Sequence, residues 1–179
     1  MNKYIAKLRE ISVKPERIIL GLMSGTSLDG LDVALCKVSG TGRATNIEVI
    51  RFTTVEYDSE LRGMLASIQS KDKIDTRLLT YLHSELGNLY GDWILTVLGE
   101  WGINSEDIDL IASHGQTVYH APAENEGGLN ATFQIVDGDH IAQKTGFITI
   151  SDFRQKHTAI GGQGAPLAGI FDEVLFRSD

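Results

Sequence analysis

The chain has 179 residues, 42% hydrophobic and 22% charged, with 16 Lys and Arg against 24 Asp and Glu for a formal net charge of -8. This is enough for one domain with a substantial core, so composition excludes a disordered chain, and the absence of any basic run argues against a nucleic-acid binder. The opening residues hold no apolar signal core, no run of about 18 apolar residues follows, and the lone Cys36 reads as a small buried hydrophobe, so the expected setting is the reducing cytoplasm with neither secretion nor membrane spanning.

Ile5, Leu8 and Ile11 recur at helical spacing, which predicts a short amphipathic helix ended by Pro15. Residues 1–15 are read as an accessory segment, and the domain as starting at residue 16. Residues 17–22 (RIILGL) and 31–38 (LDVALCKV) predict two strands around a turn rich in small and hydroxyl residues: Ser24, Gly25, Thr26, Ser27, Asp29 and Gly30. Glycines allow a tight turn and a close backbone approach, so that backbone N–H groups and three hydroxyls can face phosphate oxygens. Asp29 and Asp32 can then hold a hydrated Mg²⁺. No G-x-x-x-x-G-K-[ST] run exists, which excludes a Walker loop. A plain hairpin built from good turn residues is the other reading of the same string.

Residues 46–57 add a third antiparallel strand after a Gly40-Thr41-Gly42 turn, completing a meander. Residues 59–69 read as a short helix. From an N-cap at Asp75, apolar residues from Leu78 to Trp101 fall three or four apart up to a stop at Gly102, so a long helix is predicted, its aromatic stripe serving the core. Residues 108–112 (IDLIA) predict a buried parallel strand, with His114-Gly115-Gln116-Thr117 at its C-terminal end, where ligands gather. The polar string from Ser113 to His120 suits a polyhydroxylated ligand, or equally a capped loop with a packed histidine. His114 and His120 lack partners at zinc spacing, so a metal-hydrolase site is rejected.

A polar loop over 124–130, a strand over 132–136, a helix capped by Asp137 and a strand over 147–150 follow. Arg154 offers planar donors to a carboxylate or phosphate, and Asp152 can orient it. The run GGQGAP at 161–166 either exposes N–H groups at a helix start, suited to an anion or sugar, or simply connects sheet to helix. No G-x-S-x-G elbow supports a serine hydrolase. The helical pattern after Pro166 is still running at Asp179, so the sequence is expected to be a piece of a longer protein. The element order predicts an α/β domain with a mixed sheet covered by helices.

In order, GLMSGTSLDGLDVAL (21–35), SHGQTVYH (113–120), TFQIVDGDHIA (132–142) and SDFRQKHTAIGGQGAPL (151–167) resemble the anhydro-N-acetylmuramic acid kinases. The resemblance implies the first domain of an actin-like ATPase, a ribonuclease H-like fold with helices on both faces of its sheet. That domain would occupy 16–179 and remain incomplete, with the second domain absent. It implies a cytoplasmic enzyme of peptidoglycan recycling, with ATP and Mg²⁺ as cofactors and ATP and an amino sugar as its small-molecule partners. Nucleic acid and membrane are not implied, and a homodimer is left open. In the implied reaction water opens the 1,6-anhydro bridge while the freed O6 takes the γ-phosphate of ATP, giving N-acetylmuramic acid 6-phosphate.

Carried over by motif, Ser24, Gly25, Thr26, Ser27, Leu28, Asp29, Gly30 and Leu31 contact the ATP phosphates, with Asp29 near the metal. Gln116, Thr117, Arg154 and Gln163 line the sugar side. His157 stands where the family often carries Asp, so an obligate anion is replaced by a group that can be neutral. The family's general-base Asp lies in a later F-D-x-G-P-G-N segment without a match here. The catalytic base is therefore expected beyond Asp179, and this chain alone is expected to be inactive. A non-catalytic module that binds phosphate or muramyl ligands, or a partner, is the second reading; an unfinished two-domain protein should also expose an apolar face.

Overall fold

The computed structural model describes residues 2–123 and 128–165. Part of the loop expected at 124–130, and Pro166 with the helix expected after it, lie outside the described residues. The elements are α1 (Lys3–Val13), β1 (Glu16–Ser24), β2 (Gly30–Ser39), β3 (Asn46–Glu56), α2 (Ser59–Ile68), α3 (Thr76–Trp101), β4 (Leu110–Ala121), β5 (Ala131–Ile135), α4 (Gly138–Thr145), β6 (Thr149–Ser151) and α5 (Phe153–Ala159).

The sheet is mixed, in the order β3-β2-β1-β4-β5, with β6 also on β4. β1, β2 and β3 form the antiparallel meander, β4 runs parallel to β1 and β6, and β5 turns back antiparallel on β4. This is the α/β arrangement of the first domain of an actin-like ATPase. Leu20 and Leu22 of β1 and Leu31, Val33 and Leu35 of β2 point to one face, where they pack with Leu61 and Leu65 of α2 and Leu82, Leu86, Tyr90 and Ile94 of α3. Alternation along the strands thus meets the three-to-four spacing of the helices in one core.

The other face carries a row that crosses five strands, Phe52–Ala34–Gly21–Ala112–Ile150. Its middle is made of small residues, and at its ends Phe52 is 60% and Ile150 42% exposed. Cys36 lies one register step away between Ile19 and Val49, half-buried rather than in the core as expected, and its partial burial pushes the thiol pKa up.

The caps explain the helix limits. Asp75 accepts from the N–H groups of Arg77 and Leu78, Asp137 accepts from Asp139, and Gly102 closes α3 in the left-handed conformation at φ 66°. α4 lies hard against α3 because Gly87 and Gly91 have no side chains. A Cβ on Gly87 would meet Asp137 O and His140 Cβ at 2.7 Å, and one on Gly91 would meet Lys144 Cβ at 2.5 Å. Asp137 N–H also donates to His83 O at 2.9 Å, and Lys144 reaches Asp92 at 3.0 Å.

Three expectations are corrected. β4 does not stop at Ala112 but continues to Ala121: its register on β1 slips between Ser113 and Gln116, around Gly115, and from Gln116 onward it pairs with β5. α5 was not anticipated; Asp152, left-handed at φ 62°, opens it without a side-chain cap, and Gln155 Nε2 fixes it to β5 through Thr132 O at 2.7 Å. In α1 only Ile11 is buried, while Ile5 and Leu8 stay exposed, so the helix is held chiefly at its end. There Arg17 donates to Ile11 O and Lys14 pairs with the buried Asp109, which also accepts from Ile18 N–H. Among the described residues no helix is long and apolar enough to cross a membrane.

Candidate functional site

The turn from Ser24 to Leu31 has a polar tip on a buried base. Thr26, Ser27 and Asp29 are exposed; Ser24, Leu28, Gly30 and Leu31 are buried. Gly30 is required by close approach, since a Cβ there would lie 2.4 Å from Val55 O. The left-handed residue of the turn is Leu28, at φ 55° with its side chain in the core, a conformation a leucine adopts only when its surroundings hold it. Asp29 O accepts from Tyr57 N–H at 3.0 Å, and Gln69 Nε2 donates to Thr26 O at 3.3 Å. At the tip, Ser27 Oγ donates to Asp29 Oδ1 at 2.6 Å, and this bond holds the fully exposed carboxyl below its ordinary pKa. Asp32, further along β2, accepts from Thr54 Oγ1 at 2.6 Å.

Beneath the turn lies a buried polar cluster. Ser24 Oγ is 2.6 Å from Gln116 Oε1 and 3.0 Å from Gly30 O; Tyr57 OH is 2.7 Å from Ser24 Oγ and 2.5 Å from Tyr90 OH. Gln116 Nε2 donates to Gly25 O at 2.8 Å and Thr117 O at 3.2 Å. Burial raises the pKa of Tyr57 and lifts that of Tyr90 well above the ordinary value, so both stay protonated donors. Neither tyrosine was singled out from sequence as a site residue. The available signal was a phenol on the buried stripe of α3, since a buried Tyr hydroxyl needs a partner.

A second cluster forms where β4 bulges. Gly115 sits at φ 79°, and a Cβ there would lie 2.4 Å from Ile135 O. His114 Nε2 accepts from Arg154 Nε at 2.7 Å, which leaves Nδ1 to carry the proton and donate to Gly115 O at 3.0 Å. Burial, and after it the charge of Arg154, hold the His114 pKa below its ordinary value. Arg154 NH1 donates to Gly164 O at 3.1 Å, while Gly164 N–H donates to His157 Nδ1 at 2.9 Å. His157 therefore offers the glycine-rich loop an acceptor, as a carboxylate in its place would. Of the residues assigned to a sugar, Arg154 is half-buried with donors to spare, Thr117 is buried on β4, Gln163 is exposed, and Gln116 is only 1% exposed with its amide fully engaged.

Beside this cluster a cleft of about 600 Å³ is lined by His83, Ser113, Gln134, Asp137, Ser151 and Asp152, among others. Among the described residues Ser113 Oγ and Gln134 Oε1 are buried there without hydrogen-bond partners. An unpaired hydroxyl and an unpaired amide oxygen suit a ligand rich in hydroxyl or amide groups. Among the described residues no three His, Cys, Asp or Glu gather to hold a metal.

The profile of the anhydro-N-acetylmuramic acid kinase family matches residues 17–179. Curated proteins named anhydro-N-acetylmuramic acid kinase are similar to nearly the whole chain: 49% identical in Pseudoalteromonas atlantica and 48% in Pseudoalteromonas translucida, each over 99% of this chain and 45% of the relative. One from Caldanaerobacter subterraneus is 39% identical over 96% of this chain and 44% of its own length. The chain thus spans less than half the length of these relatives.

Proposed function

Since this chain belongs to the anhydro-N-acetylmuramic acid kinase family, we propose that residues 16–179, preceded by an accessory segment at 1–15, are the N-terminal domain of an ATP-dependent kinase. The complete protein hydrolyses the 1,6-anhydro ring of anhydro-N-acetylmuramic acid and phosphorylates O6, in the cytoplasm, as a step of peptidoglycan recycling. The observation that supports this best is the turn at 24–31, whose exposed hydroxyls and carboxylate stand on a rigid buried base within the family match.

The turn's N–H groups and the Thr26 and Ser27 hydroxyls bind the ATP phosphates. Buried Ser24, Leu28, Gly30 and Leu31 set the backbone that presents them, and Gly25 leaves room for the nucleotide. Asp29 fits Mg²⁺, which takes one or two carboxylates together with substrate phosphates and water. When bound, the metal would neutralise charge on the transferring phosphate. Arg154, spending one donor on His114 and one on Gly164 O, keeps others for the carboxylate of the muramyl substrate; Thr117, Gln163 and Gln116 stand on the same β4 and glycine-loop side. A water adds to C1 as the C1–O6 bond breaks and gives its proton to a base supplied beyond Asp179, while the freed O6 attacks the γ-phosphorus and ADP departs. Positioning and charge neutralisation carry most of such a transfer.

The test is product formation by the complete protein from ATP and the anhydro sugar. N-Acetylmuramic acid 6-phosphate should appear, Asp29→Asn should slow it about 100-fold or more, and the 179-residue chain should give none. Turnover by the short chain would refute the placement of the base; no turnover by the complete protein would refute the assignment. A non-catalytic binding module gains no support from relatives named as kinases, and light scattering on the complete protein decides whether it is a dimer.

A further inference from the structure

The members of the buried cluster allow only one arrangement of protons. Gly25 O and Thr117 O are both acceptors, so the nitrogen of the Gln116 amide must face them and Oε1 must face Ser24. Ser24 has a single proton, and the 2.6 Å contact commits it to Oε1. Ser24 Oγ then accepts from Tyr57 at 2.7 Å, and the Tyr57 oxygen accepts from Tyr90 at 2.5 Å. The reverse order would turn the Tyr90 proton away from the Tyr57 oxygen it faces at 2.5 Å, in a residue that is 0% exposed. The donors therefore run one way, from Tyr90 on α3 through Tyr57 and Ser24 to Gln116 on β4, and end on the carbonyl of Gly25.

We infer that this directed chain, Tyr90–Tyr57–Ser24–Gln116, clamps both ends of the 24–31 turn in the geometry that receives the ATP phosphates, and that Gln116 is a positioning residue for nucleotide rather than a sugar contact. The inference rests on the kinase reading of the turn. One end is held at Gly25 O by Gln116; at the other, Asp29 O accepts from Tyr57 N–H at 3.0 Å. Between the clamps sits left-handed Leu28, whose conformation needs such restraint. The Ser24 hydroxyl is spent inward, so the hydroxyls exposed at the tip are those of Thr26 and of Ser27, which donates to Asp29. Tyr57 is 3% exposed and Gln116 1%, which leaves neither side chain a surface for a ligand.

The test uses the complete protein that contains this chain, with KM measured separately for ATP and for the anhydro sugar. Gln116→Met and Tyr57→Phe should each raise KM for ATP about 10-fold, or lower kcat/KM for ATP by that factor, and leave KM for the sugar within about twofold. A purely structural role would lower the melting temperature without separating the two KM values. If Tyr57→Phe fails to fold because the Tyr90 hydroxyl is stranded, the Tyr57→Phe/Tyr90→Phe pair removes both phenols and should show the same ATP effect. A rise in sugar KM alone in Gln116→Met, or an unchanged ATP KM in the folded tyrosine variants, overturns the inference. Calorimetric titration with Mg-ATP separates it from the function itself. Wild type that binds nucleotide more tightly than Tyr57→Phe supports the clamp even without sugar turnover, equal affinities overturn it, and no nucleotide binding overturns both.

Discussion

Replacing Gly87 and Gly99 of α3 separately by alanine isolates the energy of the α3–α4 contact. Both lie in one helix, so alanine gives each the same propensity gain, about 1 kcal/mol. A Cβ at Gly99 meets nothing within 4 Å, whereas one at Gly87 lies 2.7 Å from a backbone oxygen, Asp137 O, and from His140 Cβ. Neither neighbour is the end of a flexible side chain, and Asp137 is tied back to α3 by its 2.9 Å bond to His83 O. The clash must therefore displace α4, at about 1–3 kcal/mol. Because the propensity gain cancels, that figure is also the expected difference between the variants. At about 2–4 °C per kcal/mol for a domain of this size, Gly99→Ala should melt a few degrees above the parent and Gly87→Ala at or below it. Circular dichroism melts, checked by urea midpoints, measure this. Equal stabilisation of both variants would refute the reasoning, since it would mean that α4 can yield without cost.

Gly115→Ala should lose about 2 kcal/mol or more, because the residue is left-handed and its Cβ would strike Ile135 O; a variant as stable as the parent in urea would show that the bulge is not needed. His114 should make stability pH-dependent. Its folded pKa lies below the ordinary 6.5, so the unfolded chain takes up the proton first. The contribution is complete above about pH 6.5 and is lost as pH falls through the lower folded value. The slope of unfolding free energy between about pH 7.5 and 5 should be shallower in His114→Gln than in the parent, and identical slopes would contradict this. His157→Asp should keep the Gly164 N–H bonded, whereas His157→Ala should cost about 1 kcal/mol and speed proteolysis at 161–164; equal cleavage of the two would count against the contact.

Strand alternation at Leu20/Leu22 and Leu31/Val33/Leu35, and the caps Asp75, Gly102 and Asp137, were legible because each is a local signal. The turn over 24–30 was legible for the same reason, but not that Ser24, read with Thr26 and Ser27 as facing phosphate, points inward. The continuation of β4 was not, because Ser113–His120 reads as a polar loop, whereas its backbone is paired and its side chains from Ser113 to Val118 are buried. α5 escaped because FRQKHTA has no apolar stripe and no capping side chain. Gln116 was placed beside a sugar by its motif, yet its engagement depends on residues far away in the chain. No window of sequence contains Ser24, Tyr57, Tyr90 and Gln116 together.

That separation also sets an order of assembly. The β1–β2 and β2–β3 hairpins close over short loops, whereas Ser24 and Gln116 are 92 positions apart and Ser24 and Tyr57 33. Closing the longer loop costs more chain entropy, which is recovered only once α2 and α3 are in place between the strands that pair. The 24–31 turn is therefore among the last parts of this domain to acquire its final shape as the chain folds. An intermediate holding only the meander would carry the whole MSGTSLDG string without its final shape, so on the proposed reading of the turn nucleotide binding would serve as a stopwatch for completed folding.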